Sequence, residues 1–150
     1  HDKSRNGESP LFNEIPQPNC IEADSEFIAK WDRIHSVRYD VQKALELARN
    51  EKIIGKPLEA KVSLYADGEL YDFLKSVEAQ LPEIFITSSV TVENGEGEVK
   101  GDVEGLSVTV SKADGEKCER CWKRTPDVNS DPKHEHVCAR CAKVLTEMGE

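Results

Sequence analysis

The sequence predicts an α+β fold with a long N-terminal helix, a small mixed or antiparallel sheet with one packed helix, and a C-terminal four-cysteine knuckle. Three observations predict it. Apolar residues recur at steps of three and four from Phe27 to Ala48, as along one face of a helix. Apolar and polar residues alternate from Glu59 to Ala66, as in a half-buried strand. Four of the five cysteines fall into two C-x-x-C pairs near the C-terminus.

Residues 1–23 read as an extended linker. Pro10, Pro16 and Pro18 break any helix there, while Leu11, Phe12 and Ile15 offer apolar points to tack the segment onto a surface. A helix is predicted over about 24–53, with Asp24 or Ser25 as N-cap and Gly55 and Pro57 marking its stop. Its stripe is Phe27, Trp31, Ile34, Val37, Val41, Ala44, Leu45 and Ala48. At 1.5 Å per residue this helix would be about 45 Å long. That is longer than a small unit needs, so one end is expected to pack against something outside this chain. Lys30, Arg33, Lys43 and Arg49 are expected on its solvated face.

The next stretch, up to residue 113, reads as a compact α+β unit. Ala60, Val62, Leu64 and Ala66 face one way in a first strand, and Asp67-Gly68 makes a turn. Leu70, Phe73, Leu74, Val77 and Leu81 outline a short amphipathic helix that stops at Pro82. A second strand is predicted from about Ile84 to Val92, then a turn at Asn94-Gly95-Glu96-Gly97. Val99 to Val110 reads as a hairpin with Leu106, Val108 and Val110 on one face. Gly95-Glu96-Gly97 is no nucleotide fingerprint, because it lacks the third glycine and the strand-to-helix context.

Residues 114–150 form the third unit. Cys118-Glu-Arg-Cys121 and Cys138-Ala-Arg-Cys141 are separated by 16 residues. Each pair can turn tightly and aim two sulfurs at one point, and the loop is long enough to bring the pairs together. That arrangement suits one structural Zn²⁺ held by Cys118, Cys121, Cys138 and Cys141. Iron in a rubredoxin-like site is the alternative, but nothing else in the chain suggests electron transfer. A closed four-cysteine site has no open position for substrate, so metal catalysis is not expected. His134 and His136 lie in the loop and could compete as ligands, but four cysteines already complete the tetrahedron, so they are expected to be loop or surface residues. Val128, Val137, Val144 and Leu145 cannot bury enough apolar surface alone, so the metal is expected to supply the missing stability. Ala142 to Met148 reads as a last helical turn. The remaining thiol, Cys20, reads as a bland loop residue.

Bulk properties narrow the function. A net charge of −9 argues against a generic nucleic-acid binder. The charge is uneven, though. Lys117 to Lys143 holds seven basic and four acidic residues, a local +3 that leaves −12 elsewhere. Trp122 follows the second cysteine and precedes Lys123 and Arg124, with Arg120 and Arg140 inside the two pairs. An aromatic ring beside cations can stack an unpaired base while the cations meet phosphates. The ring can equally pack over the knuckle as its small core. There is no Walker motif, nucleophile elbow or HExxH, and His35-Ser36 cannot aim at each other along a helix. No apolar run approaches the roughly 18 residues of a membrane span. Paired C-x-x-C motifs without a secretory signal suit a reducing, cytoplasmic setting. The start, His1-Asp2-Lys3-Ser4-Arg5, reads as a cut within a longer protein or an expression remnant.

Several segments resemble one known family. They are Trp31-Asp32-Arg33-Ile34, Val37-Arg38, Val41, Lys43-Ala44-Leu45-Glu46 and Ala48-Arg49, then Lys52, Ile54-Gly55-Lys56 and Leu58-Glu59-Ala60-Lys61-Val62. With Cys118-Glu-Arg-Cys121-Trp122 and Cys138-Ala-Arg-Cys141, they resemble the C-terminal region of bacterial-type isoleucyl-tRNA synthetases, a junction unit and a zinc finger. Ser9-Pro10-Leu11-Phe12 through Ile15-Pro16 is similar to that family's linker. A related finger occurs in formamidopyrimidine-DNA glycosylases. The resemblance implies a parent enzyme that attaches isoleucine to its tRNA using ATP. The core signatures His-Ile-Gly-His and Lys-Met-Ser-Lys-Ser are absent here, so this chain would carry no chemistry itself. It also implies zinc ligation by the four cysteines, a region that helps hold the anticodon end of tRNA, for which Trp122, Lys123 and Arg124 are only candidate contacts, and packing against the remainder of the synthetase. A protein-interaction adaptor, with the Phe27–Trp31–Ile34 stripe as contact and the metal as staple, is the reading from a different class.

Overall fold

The computed structural model describes residues 24–149. Two expectations, the extended linker and the loop thiol Cys20, lie outside them. The elements are α1 (Ser25–Asn50), β1 (Ala60–Ala66), α2 (Gly68–Val77), α3 (Leu81–Ile84), β2 (Ser89–Glu93), β3 (Val99–Lys100), β4 (Leu106–Lys112), β5 (Glu116–Lys117), β6 (Arg124–Thr125) and α4 (Ala139–Met148). The fold is α+β, as the sequence predicts.

Asp24 caps α1, its carboxylate accepting from the Glu26 N–H at 3.1 Å. The helix ends three residues before the expected stop. Lys52 takes φ 62°, the Lys52 N–H returns to the Arg49 carbonyl, and the Ile53 N–H returns to Ala48. This is a Schellman closure with lysine where glycine is usual, so Gly55 is not the cap. The buried stripe also begins later than predicted. Ile34, Val37, Val41, Ala44, Leu45 and Ala48 are buried, but Phe27 is exposed and Trp31 only half-buried. These two rings stack edge to face with centroids 6.1 Å apart, at an end of the helix that the sheet does not reach.

The main sheet runs β2-β1-β4-β3. β1 and β2 are parallel, while β4 is antiparallel to both β1 and β3. The even-numbered residues of β1 and β4, from Ala60 to Ala66 and from Leu106 to Val110, share one buried face. Pairs such as Val62–Val110 and Leu64–Val108 lie opposite each other. They join Val37, Val41, Leu70, Leu74 and Phe85 in a single apolar cluster, so α1 and α2 cover that face.

Two boundaries differ from expectation. Asp67 is the N-cap of α2, and Gly68 opens the helix instead of closing a turn. Pro82 lies in the first turn of α3 rather than ending a helix. Proline is tolerated there because the N–H it lacks would have had no partner. The chain bends through a short 3-10 turn at Glu78–Gln80 between the two helices, and β2 consequently starts at Ser89 instead of near Ile84.

One buried charge ties α1 to the sheet. Asp40 is 2% exposed, and its carboxylate accepts from the N–H groups of Asp102 and Val103, both at 2.9 Å. A Cβ at Gly101 would overlap that carboxylate, which is why glycine stands there.

Candidate metal centre

The second sheet is a β5–β6 hairpin whose strands flank the first cysteine pair. Cys118 follows β5. Its N–H donates to the Lys123 carbonyl and its carbonyl accepts from the Trp122 N–H, both at 2.9 Å. The four residues between are thereby wound into a knuckle. Gly115 precedes it with φ 85°, where a Cβ would run into the Thr125 carbonyl. Cys138 is the N-cap of α4 and Cys141 lies in its first turn, so the second pair rides on a helix start. α4 runs ten residues, longer than the single turn read from the sequence.

The loop between the pairs is tied by its own side chains. The Asn129 carboxamide accepts from the His136 N–H at 2.6 Å, and the His136 carbonyl accepts from the Glu119 N–H at 3.0 Å. Asp127 accepts from the Ala139 N–H at 3.1 Å, capping α4 where Cys138 makes no side-chain cap bond. His134 lies 3.7 Å from the Asp131 carboxylate.

The four sulfurs lie within 4.8 Å of one another. Cys118, Cys138 and Cys141 are buried and Cys121 half-buried, and all four are free thiols. The Cys121 and Cys138 sulfurs are 3.8 Å apart. A disulfide needs about 2.05 Å. A tetrahedron of sulfurs at about 2.3 Å from a central Zn²⁺ has edges of about 3.8 Å. The spacing therefore fits a metal and excludes a covalent pair.

The electrostatics point the same way. Burial pushes the Cys118 thiol up, but hydrogen bonds from the N–H groups of Cys121, Cys138 and Arg120 outweigh it and bring the thiol down to about 6. Burial and shared protons with the neighbouring sulfurs push Cys121 up to about 12. Cys138 is raised as well, chiefly by burial. Four thiols this close cannot all ionise unless a cation stands among them, and a bound dication deprotonates its sulfur ligands outright. The donor set, all sulfur and tetrahedral, suits zinc, and the site is that of one structural zinc ion.

The candidate contact residues surround this cluster. Trp122 sits in the left-handed region at φ 66°, and it is 59% exposed. The apolar cluster here is Cys118, Val137, Cys138, Cys141 and Ala142, flanked by Cys121, Val128 and Leu145. Trp122 is not part of it, so the ring is no small core. Lys117, which the motif reading passed over, has its ammonium 5.5 Å from the centroid of that ring. Lys123 and Arg124 are half-buried. Arg124 donates to the Gly115 carbonyl at 2.8 Å, so part of its guanidinium is committed to its own loop. Arg120 is exposed and reaches Cys141 Sγ at 4.0 Å, while exposed Arg140 lies 4.0 Å from Glu83.

Residues 115–144 match the model of a zinc finger found in FPG and IleRS. Across 149 residues the chain is 46% identical to an isoleucine–tRNA ligase of Desulforudis audaxviator, over 94% of this chain and 16% of that protein. It is 51% identical over 118 residues to one from Carboxydothermus hydrogenoformans, covering 79% of this chain and 13% of the relative. A third, from Geobacillus thermodenitrificans, is 40% identical over 144 residues, 93% of this chain and 16% of the ligase. The chain is thus similar, over most of its length, to a short segment of isoleucine–tRNA ligases. It spans 13–16% of the length of these relatives. No helix among the described residues is long and apolar enough to cross a membrane.

Proposed function

We propose that this chain is the zinc-bearing, anticodon-end RNA-binding region of a cytoplasmic isoleucine–tRNA ligase. The parent attaches isoleucine to its tRNA at the expense of ATP, and the catalytic core lies outside this chain. Cys118, Cys121, Cys138 and Cys141 ligate one zinc ion that shapes the finger. The chain divides into a linker (1–23), a helix-and-sheet unit (24–113) and a finger (114–150).

One observation carries the RNA reading. Trp122 is a large ring held outside the finger's apolar cluster, 59% exposed, with the Lys117 ammonium beside it. Anticodon bases are unpaired and can be splayed onto such a ring, while Lys123 and the exposed Arg120 and Arg140 meet phosphates. The net charge of −9 limits what the segment can bind alone, so its RNA contact adds to a larger surface on the parent. Phe27 and Ile28, both exposed, and half-buried Trp31 support packing of the amino end of α1 onto the remainder of the ligase.

Trp122→Ala in a full-length ligase tests the proposal. Stacking on an aromatic ring contributes about 1–3 kcal/mol per base, so KM for tRNA is expected to rise roughly tenfold. Zinc content and isoleucine-dependent ATP–pyrophosphate exchange are expected to stay at wild-type values. Equal loss in charging and exchange, or no loss in either, overturns the RNA role. Unchanged charging would favour the adaptor reading instead.

A further inference from the structure

Among the described residues, one hydroxyl group bridges the finger and the main sheet. Ser88 lies in the connection between α3 and β2 and is 8% exposed. Its Oγ donates to the Leu58 carbonyl at 2.6 Å and accepts from the Arg124 N–H at 2.7 Å. Leu58 leads into β1, while Arg124 opens β6 immediately after the knuckle. The single hydroxyl proton and one lone pair are thus both used, one on each side of the junction. The Ser88 N–H adds a bond to the Ala60 carbonyl at 3.1 Å, so the residue is held to the start of β1 by backbone and side chain alike. Its neighbour Ile86 sits at φ 59°, a conformation that β-branched residues rarely accept, and Thr87 and Ser88 turn inward after it.

Other links across this junction are weaker or lie elsewhere. The Arg140–Glu83 pair is at 4.0 Å, with both side chains about two-thirds exposed. Such pairs contribute little in water. The Ala113 N–H donates to the Glu59 carbonyl at 2.8 Å, but this bond closes the chain at the end of β4, before the knuckle begins.

We propose that Ser88 is a positioning residue: it sets the orientation of the zinc finger on the sheet by holding the Arg124 backbone, and so fixes where Trp122 and Lys123 face. The orienting role stands on the geometry alone. Its consequence for tRNA rests on the function proposed above.

Two measurements separate these statements. In the zinc-loaded chain, Ser88→Ala is expected to speed hydrogen exchange at the Arg124 N–H at least tenfold, with zinc content and exchange in β1 and β4 unchanged. Ser88→Thr, which keeps the hydroxyl, is expected to restore slow exchange. Wild-type protection of Arg124 in Ser88→Ala overturns the proposal. If Ser88→Ala loses its zinc or its sheet, Ser88→Cys is measured instead. The thiol is a weak donor and acceptor, so intermediate exchange at Arg124 supports the role and wild-type exchange overturns it. In a full-length ligase, Ser88→Ala is expected to raise KM for tRNA several-fold with little change in kcat and none in ATP–pyrophosphate exchange. Faster Arg124 exchange with an unchanged KM leaves the orienting role standing and removes the RNA reading on which the second statement rests.

Discussion

Trp122 occupies a backbone conformation that few large side chains accept, and the reason is local. The knuckle closes when the Trp122 N–H reaches the Cys118 carbonyl, which forces the next step of the chain back on itself. The cost is offset by a loop that holds Cys118 and Cys121 on one metal. Glu59 shows a second kind of single-residue control. The Gly55 N–H, donating to its carboxylate at 2.9 Å, holds this acid below its ordinary value of 4.5 against the opposing effect of burial, with help from the Lys56 N–H and the charges of Arg124 and Lys112. Because the folded state binds this proton less readily than the unfolded one, the contribution is complete above about pH 4.5. It is lost as pH falls through the lower folded value. Glu59→Gln is therefore expected to cost ~1 kcal/mol at pH 7, small for a charged acceptor because solvent is near. The gap between variant and wild type should shrink below pH 4.5. Urea-unfolding midpoints between pH 3 and 7 measure it, and a gap independent of pH contradicts the assignment.

At the scale of elements, α4 carries half of the metal's ligands at its first turn, so the start of that helix and the cluster depend on each other. Cys138 is a poor N-cap, and Asp127 from the loop does the capping in its place. Asp127→Ala is expected to cost about 1 kcal/mol of α4 stability, the usual value for a lost cap. Since Cys138 and Cys141 must be held by that turn, zinc affinity is expected to fall several-fold. Competition with a chromophoric chelator reads this directly, and an unchanged affinity contradicts the coupling. The same scale explains where element boundaries escaped the sequence. Pro82 was read as a stop because proline breaks a continuing helix. Here the helix had already turned at Glu78–Gln80, and the proline falls where its missing N–H is harmless. Likewise Lys52 ends α1 because Ile54 must turn into the core, and the glycine three positions on is not needed.

At the scale of the whole molecule, the described residues form two apolar clusters of very different size. The main one holds twenty buried residues, whereas the finger's holds five, three of them cysteines. The large cluster can sustain its sheet without metal, but the small one cannot, because zinc binding supplies the free energy its apolar side chains lack. Removing zinc with a strong chelator is expected to abolish hydrogen-exchange protection from residues 115 to 148 while leaving α1 beyond Ile34, β1 and β4 protected. Retained protection in the finger would show that the metal is dispensable to the fold.

Several features were open to reading from the residues alone. The two C-x-x-C pairs announced a metal set because sulfur spacing along a tight turn is a local property. The alternation of β1 and the stripe from Ile34 to Ala48 announced their buried faces because side-chain direction follows backbone period. What no period encodes is which distant group meets which. Only the folded chain decided that Asp40 holds the β3–β4 loop, that Phe27 and Trp31 extend beyond the sheet, that Trp122 stands clear of the finger's interior, and that Ser88 reaches Arg124. Each of these depends on a contact between residues far apart in sequence, and the three-dimensional packing sets such contacts while local propensity is indifferent to them.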